Sequence, residues 1–285
     1  MNSRMITEQP SLYDHLEKKS IHDILTEINR EDHKVADAVE RAIPQIERFV
    51  TLTVPRMKRG GRLFYIGAGT SGRLGVLDAS ELPPTFGVDP SLVTGLIAGG
   101  DKALRTAVEN AEDDSESAWK ELCEHHINET DTVLGIAASG NTPYVVGAVK
   151  TCRAHGILTG CITSNPDTPL AREADVAIEM IVGPEYVTGS SRMKSGTGQK
   201  LILNMISTTL MIQLGRVTGN RMVNMQLTNH KLIERGTRMI MQTLGLDHDH
   251  ARRILMMYGS VKRAIDEWNK KDPNPHTEQQ GEKKE

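Results

Sequence analysis

The segment Arg62-Leu-Phe-Tyr-Ile-Gly-Ala-Gly-Thr-Ser-Gly-Arg73 gives the first indication of the fold class of this 285-residue chain. The apolar run from Leu63 to Ile66 is typical of a strand that is buried on both faces. The glycines after it favour a tight turn, and a helical pattern then continues towards Ala79. A buried strand joined by a tight turn to a helix is the first half of a strand-helix-strand unit, from which parallel sheets are built.

Four similar apolar runs follow, separated by helical patterns. They are Val93 to Ala98, Thr132 to Ala137, Leu158 to Ile162 and Val176 to Val182. Because hydrophobicity within the runs is continuous rather than alternating, helices are expected to cover both faces of the sheet. The sequence therefore predicts a doubly wound α/β domain with a five-stranded parallel sheet flanked by helices.

The segments outside the sheet are predicted to be mostly helical. Apolar residues recur at helical spacing from about Ser20 to Lys58, a long helix runs from about Met193 to Val217, and shorter helices are joined at Gly245 and Gly259. The end of the chain is charged and has little to bury. We therefore expect an N-terminal helical segment (residues 1–58), the α/β domain (59–218), a small C-terminal helical unit (219–268) and a disordered tail (269–285).

Composition limits the classes of function. The 34 basic and 37 acidic residues give a net charge of -3, which does not favour nucleic acid or a membrane surface as a partner. The polar N-terminus does not resemble a secretory signal, no apolar stretch reaches about 18 residues, and the three cysteines (Cys123, Cys152 and Cys161) form no CxxC pair. We expect a cytoplasmic protein that binds a small molecule.

The glycine-rich turn formally matches GxGxxG, a pattern of dinucleotide-binding loops. A nicotinamide dinucleotide also needs an acidic residue at the end of the second strand, and this strand ends in Gly99-Gly100. Thr70 and Ser71 place hydroxyls in the turn, where the start of a helix favours an anion. The turn predicts contacts to sugar or phosphate oxygens rather than to NAD, although a tight turn without any ligand remains open.

Two further loops have the same chemistry. Ala137-Ala-Ser-Gly-Asn-Thr-Pro143 follows the third strand, and Thr188-Gly-Ser-Ser-Arg-Met-Lys-Ser-Gly-Thr197 precedes the long helix. A serine or threonine at any one turn can be merely a helix cap, with Thr142 an example. Three such loops at the carboxyl ends of parallel strands can instead face one crevice. Together they favour a phosphorylated polyol as the ligand.

Two glutamates are candidates for acid–base chemistry. Glu81 is expected at the end of a helix, because Pro83 disfavours helical geometry at the residue before it. Glu112 lies in an acidic run where Asp113 and Asp114 can cap the next helix, and it can itself be a solvated carboxylate. In a partly dry cleft, two carboxylates can hold different protonation states, so that one donates a proton and the other accepts one.

Metal chemistry has weaker support. The ten histidines are dispersed, and the close pairs His125-His126 and His248-Asp-His250 lack the spacing that places two ligands on one helix face. We assign both pairs to the surface and expect no metal and no cofactor.

Four segments of the chain closely resemble the N-acetylmuramic acid 6-phosphate etherases, a family of the sugar isomerase (SIS) domain superfamily. They are Ile66-Gly-Ala-Gly-Thr-Ser-Gly-Arg-Leu-Gly-Val-Leu-Asp-Ala-Ser-Glu-Leu-Pro-Pro-Thr-Phe-Gly87, Ala107-Val-Glu-Asn-Ala-Glu-Asp-Asp114, Ala138-Ser-Gly-Asn-Thr-Pro143 and Gly189-Ser-Ser-Arg-Met-Lys-Ser-Gly-Thr-Gly-Gln-Lys200. The resemblance extends from Ile6 to about Ile265. It implies a five-stranded parallel sheet between helices, a homodimer, and a lyase that cleaves the lactyl ether of N-acetylmuramic acid 6-phosphate during recycling of bacterial cell-wall sugar.

The resemblance also implies roles for single residues. The family's proton donor falls on Glu81, and its second active-site glutamate, the base, falls on Glu112. The family's usual cysteine after the first glutamate is Leu82 here, which should not matter because its neighbours match. The substrate would be held by residues of the three loops, namely Gly69, Thr70, Ser71, Ser139, Asn141, Thr142, Ser190, Ser191 and Lys194.

Two other functions remain open. A related regulatory protein of glucokinase shares several of these motifs and binds phosphorylated hexose without transforming it, but it is much longer and has two SIS domains. An isomerase of phosphosugars would also use acid–base chemistry. A single α/β domain in 285 residues favours the etherase.

Overall fold

A computed structural model describes residues 5–227 and 229–271, and one five-stranded sheet forms its centre. Two short 3-10 turns, Ile6–Glu8 and Leu16–Lys18, come first. The elements of the α/β part then follow as α1 (Ile21–Arg41), α2 (Ile43–Lys58), β1 (Leu63–Gly67), α3 (Gly69–Phe86), β2 (Val93–Ile97), α4 (Lys102–Arg105), α5 (Ser117–Glu124), β3 (Thr132–Ile136), α6 (Pro143–Ala154), β4 (Leu158–Thr163), α7 (Pro169–Glu173), β5 (Val176–Glu179) and α8 (Lys194–Gln213).

The strands lie in the order β2-β1-β3-β4-β5, and every neighbouring pair is parallel. Leu63 at the start of β1 pairs with Val93 on one side and with Thr132 on the other. The predicted five-stranded parallel sheet is therefore confirmed. β5 ends at Glu179 rather than at Val182, because Glu179 pairs with the last residue of β4.

Helices cover both faces of the sheet. On one face, Phe64 of β1 and Val133 of β3 pack with α5 and α6 in a core that includes the fully buried Tyr144. On the other, α2 lies so close to β4 that the ring of Phe49 leaves no room for a side chain at Gly160. This two-sided cover explains why the strands are continuously apolar in sequence.

Helix α3 runs back along the sheet from the carboxyl end of β1. Two close contacts with β2 show this direction. A Cβ at Gly72 would lie 2.6 Å from the side chain of Ile97, at the end of β2. Val76, four residues later in α3, lies against Gly95 in the middle of that strand. The helix continues to Phe86, so the prediction that it ends at Glu81 was wrong. Two prolines, Pro83 and Pro84, lie inside this helix. Leu82 and Phe86 are four positions apart, so a helix places both on one face, and both are buried. Burial of this face stabilises the helical conformation against the local effect of the prolines.

Residues 82–89, 215–227 and 229–271 form a second compact unit. It contains the strands β6 (Val217–Thr218) and β7 (Arg221–Met222) and the helices α9 (His230–Leu244), α10 (His248–Tyr258) and α11 (Val261–Lys271). The predicted joints are confirmed, since Gly245 and Gly259 end α9 and α10 with φ angles of 69° and 74°. Of the tail that we expect to be disordered, residues 272–285 lie outside the described part of the chain.

Candidate active site

The strand order marks one crevice at the carboxyl edge of the sheet. β2 lies on one side of β1 and β3 on the other, so the direction of winding reverses between β1 and β3. In sheets of this order, ligands bind between the loops that follow those two strands. These are the glycine-rich turn and residues 137–142, the first two loops that the sequence singled out.

The first and third predicted loops meet at the head of α8. Ser71 is buried, and its Oγ donates a hydrogen bond to Oε1 of Gln199 at 2.9 Å. A Cβ at Gly196 would lie 3.3 Å from the methyl group of Thr70, and the Gly196 N–H donates to the carbonyl oxygen of Ser191 at 3.0 Å. Gln199 was not among the predicted residues, because nothing in the sequence distinguishes it from other polar positions of a helix.

Lys194 is held inside the protein. Its Nζ donates to Oε2 of Glu31 at 2.7 Å, and each of these side chains is 2% exposed. The backbone N–H groups of Lys194 and Ser195 donate to the carboxylate of the fully buried Glu185 at 2.8 and 2.9 Å. Glu185 therefore satisfies amides at the start of α8 that could otherwise receive an anion. Contact between Lys194 and a substrate stays a prediction.

The second loop is internally ordered. The Asn141 N–H donates to Oγ of Ser139 at 3.2 Å, and Nδ2 of Asn141 donates to the Ser139 carbonyl at 3.2 Å. Thr142 precedes α6 as predicted, but its side chain makes no capping hydrogen bond. Helix capping therefore does not account for the Thr142 hydroxyl.

The two predicted catalytic glutamates lie at different places on the fold. Both are exposed. The carbonyl oxygen of Glu112 accepts a hydrogen bond from the Tyr144 N–H at 3.0 Å, which places Glu112 beside the second loop at the start of α6. Glu81 lies about 18 Å along the α3 axis from Gly69, at 1.5 Å per residue. Since α3 runs back from the carboxyl ends of the strands, this length of helix separates Glu81 from the first loop of its own chain.

Glu81 lines a separate cavity of about 290 Å³ with Asp78 and Lys200. Asp78 is buried and accepts hydrogen bonds from the Tyr65 hydroxyl at 3.1 Å and from Nδ2 of Asn204 at 2.9 Å. Burial raises the pKa of the Asp78 carboxyl, although these hydrogen bonds oppose the shift. The bonds tie α3 to β1 and α8 one turn before Glu81, and so fix the helix that carries it.

Within residues 5–227 and 229–271, no three His, Cys, Asp or Glu side chains are grouped so that they could hold a metal ion. The histidine pairs at residues 125–126 and 248 and 250 are exposed, as predicted. Over the same ranges, no helix has the length and apolar character needed to cross a membrane.

Comparisons with known proteins agree with this geometry. A model of the glucokinase regulatory protein N-terminal SIS domain matches residues 45–153, and a model of the SIS domain matches residues 104–210. The chain is 71% identical to an N-acetylmuramic acid 6-phosphate etherase of Bacteroides thetaiotaomicron, over 93% of this chain and 96% of that protein. The chain belongs to the N-acetylmuramic acid 6-phosphate etherase family. An etherase of Porphyromonas gingivalis is 67% identical, over 94% of this chain and 98% of its own length.

Solved structures share the fold of this etherase-family chain. A phosphoheptose isomerase from Francisella tularensis has a TM-score of 0.51 and 19% identity, and the match covers 65% of this chain and 97% of that one. A phosphoheptose isomerase from Neisseria gonorrhoeae has a TM-score of 0.53 and 16% identity, and the match covers 67% of this chain and 98% of that one. At such low identity the likeness supports the SIS fold and nothing further. The resemblance and the fold class predicted from the sequence are both confirmed.

Proposed function

We propose that this chain is a lyase that converts N-acetylmuramic acid 6-phosphate to N-acetylglucosamine 6-phosphate and D-lactate. The observation that carries the proposal is the 71% identity to an etherase over 93% of the chain. The reaction would take place in the cytoplasm, in the recycling of cell-wall amino sugar, and would need neither a metal nor an organic cofactor.

The proposed chemistry is an elimination followed by addition of water. In the open-chain sugar the hydrogen on C2 is acidic, because C2 lies next to the C1 aldehyde. Glu112 would remove it as a proton, a C2–C3 double bond would form, and the C3–O bond would break. Glu81 would donate a proton to the departing lactyl oxygen. Water then adds at C3 while C2 regains a proton, which gives N-acetylglucosamine 6-phosphate.

The three loops would hold the phosphorylated sugar. Support for this role comes from the contacts of Thr70 and Ser71 with the head of α8, and from the position of the second loop at the crevice of the sheet. Hydroxyl and amide groups suit both sugar hydroxyls and phosphate oxygens. The proposed binding residues are Gly69, Thr70, Ser71, Ser139, Asn141, Thr142, Ser190, Ser191 and Lys194.

A homodimer would bring Glu81 of one copy to the loops of the other. Support comes from the position of Glu81 about 18 Å along α3 from its own first loop. An apolar groove of about 1060 Å³ also runs between α1, α2 and α8. Ile43 and Met205 line it and are 41% and 37% exposed. Apolar surface of this extent is typical of a protein interface, and a second copy of this chain is the occupant that would complete the site.

The first experiment measures D-lactate release from N-acetylmuramic acid 6-phosphate by the purified protein. Glu81→Gln and Glu112→Gln should each lower kcat at least ~100-fold, as expected for loss of an acid or a base. Glu109→Gln, in the same loop as Glu112, serves as the matched control and should be nearly normal. Absence of D-lactate with correctly folded protein would overturn the proposal.

Mixing the two inactive variants tests the shared site. If Glu81 and Glu112 act across the dimer, a mixed dimer contains one site with both glutamates intact. After free exchange of subunits, the activity should return to about a quarter of the wild-type rate. If both glutamates act within one subunit, mixing restores nothing, and the shared site is wrong.

A regulator that binds phosphosugar without reaction is the second candidate, because the regulatory-protein model matches residues 45–153. Calorimetric binding of N-acetylmuramic acid 6-phosphate with no D-lactate formed would support it. Formation of D-lactate would exclude it as the main function.

A further inference from the structure

Asn165 follows β4 at the carboxyl edge of the sheet and is 1% exposed. Its Nδ2 donates to the carbonyl oxygens of Ala138 and Ser139 in the second loop, at 3.2 and 3.3 Å. The same nitrogen lies 2.9 Å from Oγ1 of Thr7, so that its two hydrogens serve three acceptors, while Oδ1 accepts from the Thr7 N–H at 3.1 Å. Because a carbonyl oxygen only accepts and a backbone N–H only donates, these bonds fix the orientation of the amide.

The N-terminal segment continues from Thr7 to the third loop. The Ser11 N–H donates to Oγ1 of Thr188 at 2.9 Å, and Oγ of Ser11 donates to the carbonyl oxygen of Tyr186 at 2.8 Å. Both acceptors lie between β5 and α8, just before Ser190. The strap, defined as residues 7–11, is therefore hydrogen-bonded at one end to Asn165 and at the other end to the third loop.

We propose that Asn165 and the strap position the second and third loops for binding of the sugar phosphate. This inference rests on the proposed function, in which these loops hold the substrate. Asn165 acts through the backbone of Ser139 and does not itself touch the substrate.

Burial of Thr7 and Asn165 makes the hydrogen bonds between them costly to break. Thr7 is 1% exposed, so neither Thr7 nor Asn165 can exchange its hydrogen bonds for bonds to water without local opening. Removal of the Asn165 side chain would leave the Thr7 N–H without its partner and would take one donor from each loop carbonyl. Ala138 would keep only the Ser164 N–H at 2.9 Å, and Ser139 only Nδ2 of Asn141 at 3.2 Å. The second loop would then sample other conformations, and fewer molecules would hold a binding-competent site.

The test variant is Asn165→Ala. We expect the KM for N-acetylmuramic acid 6-phosphate to rise at least ~10-fold with a smaller change in kcat, because the loop contributes to binding in the ground and transition states alike. Amide hydrogen exchange across residues 137–143, measured by mass spectrometry without ligand, should become faster.

Asn229→Ala is the matched control. Oδ1 of Asn229 accepts a hydrogen bond from the Leu232 N–H at 2.9 Å, as the cap of α9 in the second unit. This variant should lose stability but keep the wild-type KM and the wild-type exchange of residues 137–143. If Asn165 only stabilised the fold, Asn165→Ala would behave like Asn229→Ala, with lower stability but wild-type KM and wild-type exchange.

A folded Asn165→Ala protein with wild-type KM and wild-type exchange would overturn the inference. If that variant does not fold, Thr7→Val removes only the Oγ1 acceptor and should raise KM about 3-fold, and an unchanged KM would then refute the positioning role. If the wild-type protein forms no D-lactate, the proposed function fails. The exchange of residues 137–143 still decides whether Asn165 orders the loop.

Discussion

The buried ion pair between Glu31 and Lys194 leads to a quantitative prediction for Glu31→Gln. Glu31 accepts hydrogen bonds from Nζ of Lys194 at 2.7 Å, from Nζ of Lys34 at 2.6 Å and from the Tyr13 hydroxyl at 2.9 Å. The substitution keeps the size of the side chain but removes its charge, which leaves the Lys194 ammonium buried without its counter-ion. Loss of one partner of a buried pair costs about 3–5 kcal/mol of unfolding free energy.

The lowered pKa of Glu31 gives a second magnitude for the same interactions. Burial raises this pKa, but the hydrogen bonds from Lys194, Lys34 and Tyr13 outweigh the desolvation and lower it from 4.5 to about 2. A carboxyl with a depressed folded-state pKa contributes stability above its unfolded pKa and loses that contribution as the pH falls. The difference between the unfolded and folded pKa values of Glu31 corresponds to about 3 kcal/mol of unfolding free energy. About 2 kcal/mol of this contribution should be lost between pH 5 and pH 3.

The assay is guanidinium unfolding followed by tryptophan fluorescence. Trp119 lies in α5 of the first unit and Trp268 in α11 of the second, so a Trp268→Phe background reports the unit that contains Glu31. At pH 7, Glu31→Gln should lower the unfolding free energy of this unit by about 3 kcal/mol or more. Between pH 5 and pH 3 the gap between the two proteins should shrink by about 2 kcal/mol, because Glu31 takes up a proton in the unfolded wild-type chain while glutamine does not titrate.

The matched control is Glu116→Gln. Glu116 pairs with Lys120 at 3.3 Å, but these side chains are 77% and 66% exposed. An exposed pair of this kind contributes at most about 0.5 kcal/mol. Two results would contradict a stabilising buried ion pair: a stability loss in Glu31→Gln no larger than that in Glu116→Gln at pH 7, or a gap to wild type that does not shrink between pH 5 and pH 3.

Two further predictions concern the second unit and are read from Trp268 fluorescence during unfolding. Gly87→Ala should lower stability by at least about 2 kcal/mol, because Gly87 has a φ of 61° and its Cβ would collide with the carbonyl oxygen of Asn224. Gly215→Ala is the control, because Gly215 has a φ of 72° but no atom lies near its new Cβ, and it should cost only about 1 kcal/mol. An equal loss of stability in the two variants would contradict the collision at Gly87. Asp247→Ala should cost about 1 kcal/mol, because Asp247 caps α10 by accepting from the His250 N–H at 2.9 Å, whereas Asp247→Asn should retain most of the cap.

Local sequence pattern predicts the sheet and the three loops. Five continuous apolar runs that alternate with helical patterns require cover on both faces, which a parallel sheet between helices provides. Glycines and hydroxyl residues directly after the strands at Gly67 and Ile136 predicted loops at one edge of the sheet, because parallel strands end on the same side. Local pattern also placed the ends of α9 and α10 at Gly245 and Gly259, since a left-handed φ favours glycine.

Which distant side chains meet depends on tertiary packing. Gln199 bonds to Ser71 across 128 positions of sequence, and Lys194 to Glu31 across 163. No periodicity marks such pairs, because they depend on how α1, α3 and α8 pack on the sheet. Packing also carried α3 past Pro83, against the local preference of proline, so that Glu81 lies within the helix rather than at its end. The local sequence therefore determined the elements and the chemistry of the loops, while the packing of helices on the sheet determined which charged and polar groups lie together.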